Sequence, residues 1–186
     1  VIRHLQPGAR VLALSWDGTT PAQLARLLSE RGMGASRMVV LERLGGPHER
    51  VRHAVAATFD LDAVDPLNTI ALDVVAGDDA TIVGLSPGLD DALFENDGQL
   101  TKREVRAVTL SALAPRHGER LWDIGLGAGS IAIEWLLRHP SLKAIGIEAN
   151  PERAARAARN AAHLGTPDLE IVQGRAPDAL RGLPSP

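Results

Sequence analysis

The sequence predicts an α/β protein made of two successive units. Three observations predict it. Strand and helix patterns alternate along the chain, residues 121–136 read as strand, glycine loop and helix, and the composition breaks near residues 77–100.

The first unit opens with a short apolar run, "VLALS" at 11–15, which reads as a buried strand. "TTPAQLARLLSERG" then supplies a helix, with Thr20 as N-cap, Pro21 at the first helical position, Gln23 closing a capping box and Gly32 as terminator. "RMVVLE" is a second strand and "GGPHE" a turn. "ERVRHAVAA" is expected to form a helix, and "NTIALDVVA" at 68–76 is the last strand of this unit.

Residues 77–100 mix Gly, Pro and Asp with few periodic apolar positions, so they read as a linker or extended arm. Beyond them, Thr101 and Glu104 are expected to box the start of a helix whose apolar positions are Val105, Val108, Ala112 and Leu113. The glycine loop follows. "LKAIGIE" is the next strand, ending on Glu148; Asn150 and Pro151 start a helix that Gly165 closes, and "LEIVQG" is the third strand.

Composition excludes several classes. Hydrophobic residues make up 45% of 186, enough for a sizeable core. A net charge of −3 argues against a nucleic-acid partner, which usually meets a basic face. The absence of cysteine removes disulfides, thiolate nucleophiles and Cys-ligated metals together. The six histidines show no paired metal-ligand spacing, so no metal is expected. No apolar run approaches the roughly 18 residues a bilayer span requires, and no secretion signal opens the chain. A cytoplasmic protein without a membrane partner is the expectation. The start at Val1 and the end in "LPSP" suggest a fragment.

A glycine loop between strand and helix lets backbone approach a ligand where a Cβ would intrude, and the helix beyond offers amides to an anion. The dinucleotide fingerprint places its third small residue three positions after the second glycine. Here that position is Ser130, and glycine falls at 129 instead, giving G-x-G-x-G with Asp123 two residues ahead. This form resembles that of S-adenosylmethionine-dependent methyltransferases. A nicotinamide or flavin cofactor, or a loop that serves only a tight junction, remain the alternatives. Glu148 suits either nucleotide, because a carboxylate at that strand end can accept both ribose hydroxyls. After the third strand, where such methyltransferases often carry an acidic group for the adenine, stands Arg175, which cannot accept a hydrogen bond. The backbone around Ala176 could read the adenine edge, or Pro177 could simply start a helix.

The wider sequence carries a closer resemblance. "GLDDALFENDGQLTKREVRAVTLSALAP" followed by "LWDIGLGAGSIAIEWL" resembles the decarboxylating precorrin methyltransferases of cobalamin biosynthesis. "LSWDGTTPAQLARLLSERGMGASRMVVLERLGGPHERV" resembles the back half of the tetrapyrrole methylase domain fused ahead of them. The resemblance implies that residues 1–79 are the C-terminal part of a tetrapyrrole methylase domain. Residues 80–186 would then begin a Rossmann-like class I methyltransferase domain, with an arm at 80–100 and a cofactor-binding part at 101–186.

The activity it implies is methylation of precorrin-6Y at carbons 5 and 15, with loss of carbon dioxide from the ring C acetate. S-Adenosylmethionine would be the cofactor, a tetrapyrrole the small-molecule partner and a homo-oligomer the assembly. Carried onto matching positions, the cofactor contacts are Thr101, Gly125, Leu126, Gly127, Ala128, Gly129, Glu148 and Ala176. No general acid or base can be named. The polycarboxylate substrate calls for basic groups, and Arg103 and Arg106 are candidates. Arg153, Arg156 and Arg159 form a second stripe, which reads mainly as a solvated helix face. Trp122 and Trp135 read as core. The resemblance leaves both domains incomplete, so residues 1–186 alone are expected to be inactive. An RNA or protein methyltransferase and a nucleotide-binding oxidoreductase are the rival functions.

Overall fold

A computed structural model describes all 186 residues, which divide into two compact units, Val1–Val83 and Gly84–Pro186. No helix is long and apolar enough to cross a membrane.

In the first unit, β1 (Arg10–Leu14), α1 (Thr20–Glu30), β2 (Arg37–Glu42), β3 (Arg50–Val55) and β4 (Asn68–Asp73) build a wholly antiparallel sheet in the order β1-β4-β2-β3. One face carries the buried Met38, Val40, Ile70 and Leu72, and Met38, Ile70 and Leu72 share a core with Leu24 and Leu28 of α1. Strand alternation explains the burial: residues two apart share a face. Thr19 occupies the N-cap of α1, one residue earlier than expected, and the Gln23 amide donates to the Thr19 hydroxyl at 2.9 Å.

The helix expected across residues 49–57 is absent: this stretch is β3 followed by a short 3-10 turn, Ala56–Thr58. Pairing with β2 decides it. Extended backbone puts Arg50 and Arg52 on one face, where both reach the fully buried Glu42 at 2.7 and 2.8 Å. A helix would separate those two guanidinium groups and orphan the carboxylate.

The second unit holds α2 (Arg103–Leu113), β5 (Arg120–Ile124), α3 (Ser130–Arg138), β6 (Lys143–Glu148), α4 (Pro151–Leu164) and β7 (Glu170–Gln173). Its three strands are parallel, in the order β5-β6-β7. Parallel pairing needs a crossover helix between strands, and α3 and α4 are those crossovers. Asn150 caps α4 by accepting from the Glu152 and Arg153 amides, and Gly165 ends it in a left-handed conformation. Ala154, Ala157, Ala161 and Leu164 recur at helical spacing to form its buried face.

α2 is turned differently from its sequence expectation. Val105 and Val108 are exposed, whereas Arg106 and Leu110 are buried. Its N-cap is Lys102 with no side-chain bond, so the expected Thr101–Glu104 capping box does not form.

Candidate functional site

β5 ends at Ile124, and the chain turns at once over the end of β6. The amides of Gly125 and Leu126 both donate to the Ile147 carbonyl, at 2.9 and 3.0 Å. Gly125 and Gly127 have φ of +81° and +57°, which side chains rarely adopt. A Cβ at Gly125 would meet nothing within 4 Å, and one at Gly127 only the Gly125 carbonyl, at 3.9 Å. The space above both is open. Gly129 differs: a Cβ there would press on Ala157 at 3.2 Å and Ile133 at 3.3 Å. The third glycine therefore serves the packing of loop against helices, and the first two face a cleft. Gly146 is matched to the loop from below, since a Cβ there would lie 2.5 Å from the Leu126 methyl groups.

Two carboxyl groups underlie the loop. Glu148, at the end of β6, accepts from the Gly127 amide through Oε2 and from the Asn150 amide through Oε1, both at 2.8 Å. It is 7% exposed, and no lysine or arginine pairs with it. Asp123, on β5, accepts from the Ala132 amide in the first turn of α3 at 3.2 Å. Burial pushes its carboxyl up to about 6; the Ala132 amide works against that shift and the nearby Glu148 charge reinforces it. Both carboxyl groups are thus held by backbone amides, with no side-chain partner.

The cleft encloses about 400 Å³, within the usual range for a small-molecule site. Its walls are Gly125, Leu126, Gly127, Ala128 and Ser130 on one side, Gln99, Leu100 and Thr101 of the arm on the other, with Arg153 at the edge.

Comparison with known proteins then decides the family. Residues 92–186 match the precorrin methyltransferase domain. The chain belongs to this family of methyltransferases. It is 60% identical over 183 residues to a precorrin-6Y C(5,15)-methyltransferase [decarboxylating] from a Sinorhizobium species, covering 98% of this chain and 44% of that protein. A protein of the same name from Mycobacterium tuberculosis H37Rv is 43% identical over 176 residues, covering 93% of this chain and 43% of the relative. The crystal structure of the C-terminal domain of precorrin-6Y C5,15-methyltransferase from Rhodobacter capsulatus is 46% identical, covers 56% of each chain and superposes with a TM-score of 0.53. The chain therefore spans less than half the length of the two full-length relatives.

In this precorrin methyltransferase cleft, the residues expected from sequence fall into three groups. Thr101 and the loop residues Gly125, Leu126, Gly127 and Ala128 line it together, with Gly129 and Glu148 directly behind them. Ala176, in the turn after β7, and Arg103, exposed at the start of α2, are not among the lining residues. Arg106 is a correction. It is fully buried, with Nε 2.8 Å from Glu134 and a terminal nitrogen 2.7 Å from Asp91, so its guanidinium cannot face a substrate.

The arginine stripe of α4 is paired with acids of the arm. Arg153 and Arg156 pair with Asp97, at 2.7 and 3.1 Å, and Arg159 pairs with Glu95 at 2.7 Å. Gln99, Leu100 and Ser130 were not expected in the cleft. The available signal was acidic spacing on the arm, where Glu95 and Asp97 match the α4 stripe. Trp135 is core, 4% exposed, and Trp122 is half-buried with its indole N–H donating to the Pro184 carbonyl.

Proposed function

We propose that this cleft binds S-adenosylmethionine, and that the chain is part of an enzyme that methylates precorrin-6Y at carbons 5 and 15 and decarboxylates its ring C acetate. The observation that carries the reading is the pair of left-handed glycines over open space, with an uncompensated carboxylate directly beneath. The residues fit the cofactor: side chains at 125 or 127 would occupy the volume a nucleoside needs. A carboxylate has about four acceptor sites, and Glu148 uses two on backbone amides, leaving capacity for ribose hydroxyls. Two such charge-assisted bonds contribute on the order of 3 kcal/mol.

When bound, the sulfonium supplies an electrophilic methyl group. The chain's residues then have a positioning task. The Gly125 and Gly127 backbone admits the nucleoside closely, Glu148 fixes its sugar, and Thr101 borders the side of the cleft where the acceptor carbon would approach. Orientation of this kind can supply roughly 7–11 kcal/mol of a bimolecular barrier. For decarboxylation, the conjugated macrocycle itself can accept the electron pair left by carbon dioxide. Arg103, exposed at the start of α2, is the remaining candidate for a substrate carboxylate. Residues 1–79 are read as the C-terminal part of the preceding tetrapyrrole methylase domain. The 60% identity over nearly the whole chain supports that order.

Calorimetric titration with S-adenosylhomocysteine and with NADH tests the cofactor, and the first alone should bind. Incubation of the whole enzyme of which this chain is part, with precorrin-6Y and a methyl-labelled donor, tests the reaction; residues 1–186 alone are expected to be inactive. Two labels in the product and one carbon dioxide released are expected; NADH binding with no label transfer would refute the reading.

A further inference from the structure

Three of the nine residues that line the cleft come from a segment that has almost no secondary structure of its own. Between Gly84 and Lys102 the arm contains one short 3-10 turn, Asp91–Leu93, yet Gln99, Leu100 and Thr101 line the cleft together with the glycine loop. Something other than a backbone ladder must hold it there.

We propose that residues 95–101 are a positioned wall of the methyl-donor cleft, locked in place by two buried polar side chains, Arg106 and Asn160, which act as positioning residues. The proposal rests on the cofactor reading above. Asn160, on α4 and 2% exposed, joins arm to loop directly. Its Oδ1 accepts from the Glu95 amide at 2.8 Å, while its Nδ2 donates to the Glu95 carbonyl and to the Ala128 carbonyl, each at 2.9 Å. One side chain thus satisfies both backbone groups of an arm residue and one of a loop residue. An aspartate there would turn an acceptor oxygen toward two carbonyls.

Arg106 does the equivalent work at the other end of the arm. Its Nε meets Glu134 of α3, one terminal nitrogen donates to Asp91 and to the Thr101 carbonyl, and the other donates to the Leu89 carbonyl. Glu134 completes the hub by accepting from the Gly88 and Leu89 amides at 2.7 and 2.9 Å. Arg106 therefore ends on the backbone of Thr101 itself. A lysine ammonium has three donors and no planar fork, so it cannot meet these four acceptors at once. Asp97, clasped by Arg153 and Arg156, ties down the stretch between the hubs from outside and is not a lining residue.

The test is S-adenosylhomocysteine affinity, by calorimetry on the full chain, for wild type, Asn160→Asp, Arg106→Lys and Asp97→Asn, each beside a thermal melt. Asp97→Asn removes only partly exposed pairs, so its melting temperature should stay near wild type while Kd rises about threefold to tenfold. Asn160→Asp and Arg106→Lys should raise Kd more than about tenfold and, in the whole enzyme of which this chain is part, raise KM for the methyl donor more than they lower kcat. Amide exchange at Glu95, Gly88 and Leu89 should accelerate in the matching hub variant. Should a hub variant not fold, Asp97→Asn decides the matter, because its fold does not depend on the buried network. Wild-type affinity in folded Asp97→Asn and Asn160→Asp would overturn the proposal alone. Failure of wild type to bind S-adenosylhomocysteine would overturn the cofactor reading and this proposal with it.

Discussion

Glu42 and Glu148 occupy equivalent places in the two units. Each is the last residue of a central strand, β2 or β6, and each is buried. Their partners differ. Glu42 is closed off by Arg50, Arg52 and the Asp65 amide, so its charge is neutralised within the protein. Glu148 has two amides and no cation. Sheet direction explains part of this. In the antiparallel unit, neighbouring strands end on opposite sides, and the β3 partner of β2 brings its own arginines back along Glu42. In the parallel unit, β5 and β6 end on the same side, so the glycine loop and Glu148 converge there and leave a crevice. A buried carboxylate sealed by arginines holds a fold together; one sealed only by backbone amides retains capacity for a ligand.

The largest effect that would sharpen this contrast comes from glycines with similar φ but different surroundings. Gly127→Val should lower S-adenosylhomocysteine affinity at least about hundredfold, because its side chain enters the cleft. Gly45→Val, at φ +75° with nothing within 4 Å, carries comparable backbone strain in the first unit and should leave affinity unchanged. Calorimetry on the two variants checks both outcomes.

Next in size is Glu42→Gln. Glu42 is fully buried but its arginine partners are partly exposed, so the loss should be about 1–3 kcal/mol, which chemical denaturation should register with no change in cofactor affinity. The wild-type contribution also has a definite pH dependence. Burial raises the Glu42 carboxyl, but the Asp65 amide and the Arg52 and Arg50 guanidinium groups outweigh it and hold it below 4.5. The folded value lies below the unfolded one, so this stabilisation is present above 4.5 and lost as pH falls.

Asp123 should behave in the opposite sense. Its folded value of about 6 lies above the reference of 3.8, so the native state binds the extra proton between those values. Stability from this group rises as pH falls from above 6 toward 3.8, by on the order of 2–3 kcal/mol. Asp123→Asn should remove that gain. Melting curves from pH 7 to 5 with equal slopes in variant and wild type would contradict the assignment.

The sequence carried the parallel unit well because its signals are local. Asn150, Pro151 and Gly165 mark both ends of α4 with side chains and backbone that act within a turn. Glycines at alternate positions marked the loop, although nothing local separated the packing role of Gly129 from the open positions 125 and 127. The misreadings share a cause in distant partners. Residues 49–57 contain no helix breaker, and only the pairing of β3 with β2 makes them a strand. Arg106 looked like a surface residue because its buried partner Glu134 is 28 positions away. Val105 and Val108 followed helical spacing, yet that buried hub turned α2 so that both face outward. Glu95 and Asp97 looked like linker acids, and they are the residues that α4 grips.

The central claim is that Glu148 takes the sugar hydroxyls of a nucleoside seated on the glycine loop. Its most direct test is a calorimetric comparison of S-adenosylhomocysteine with its 2′-deoxy analogue, on wild type and on Glu148→Ala. The account predicts that the analogue binds wild type about tenfold more weakly, that Glu148→Ala loses a similar factor, and that the variant no longer distinguishes the two ligands. Equal affinity of both ligands for wild type would contradict it.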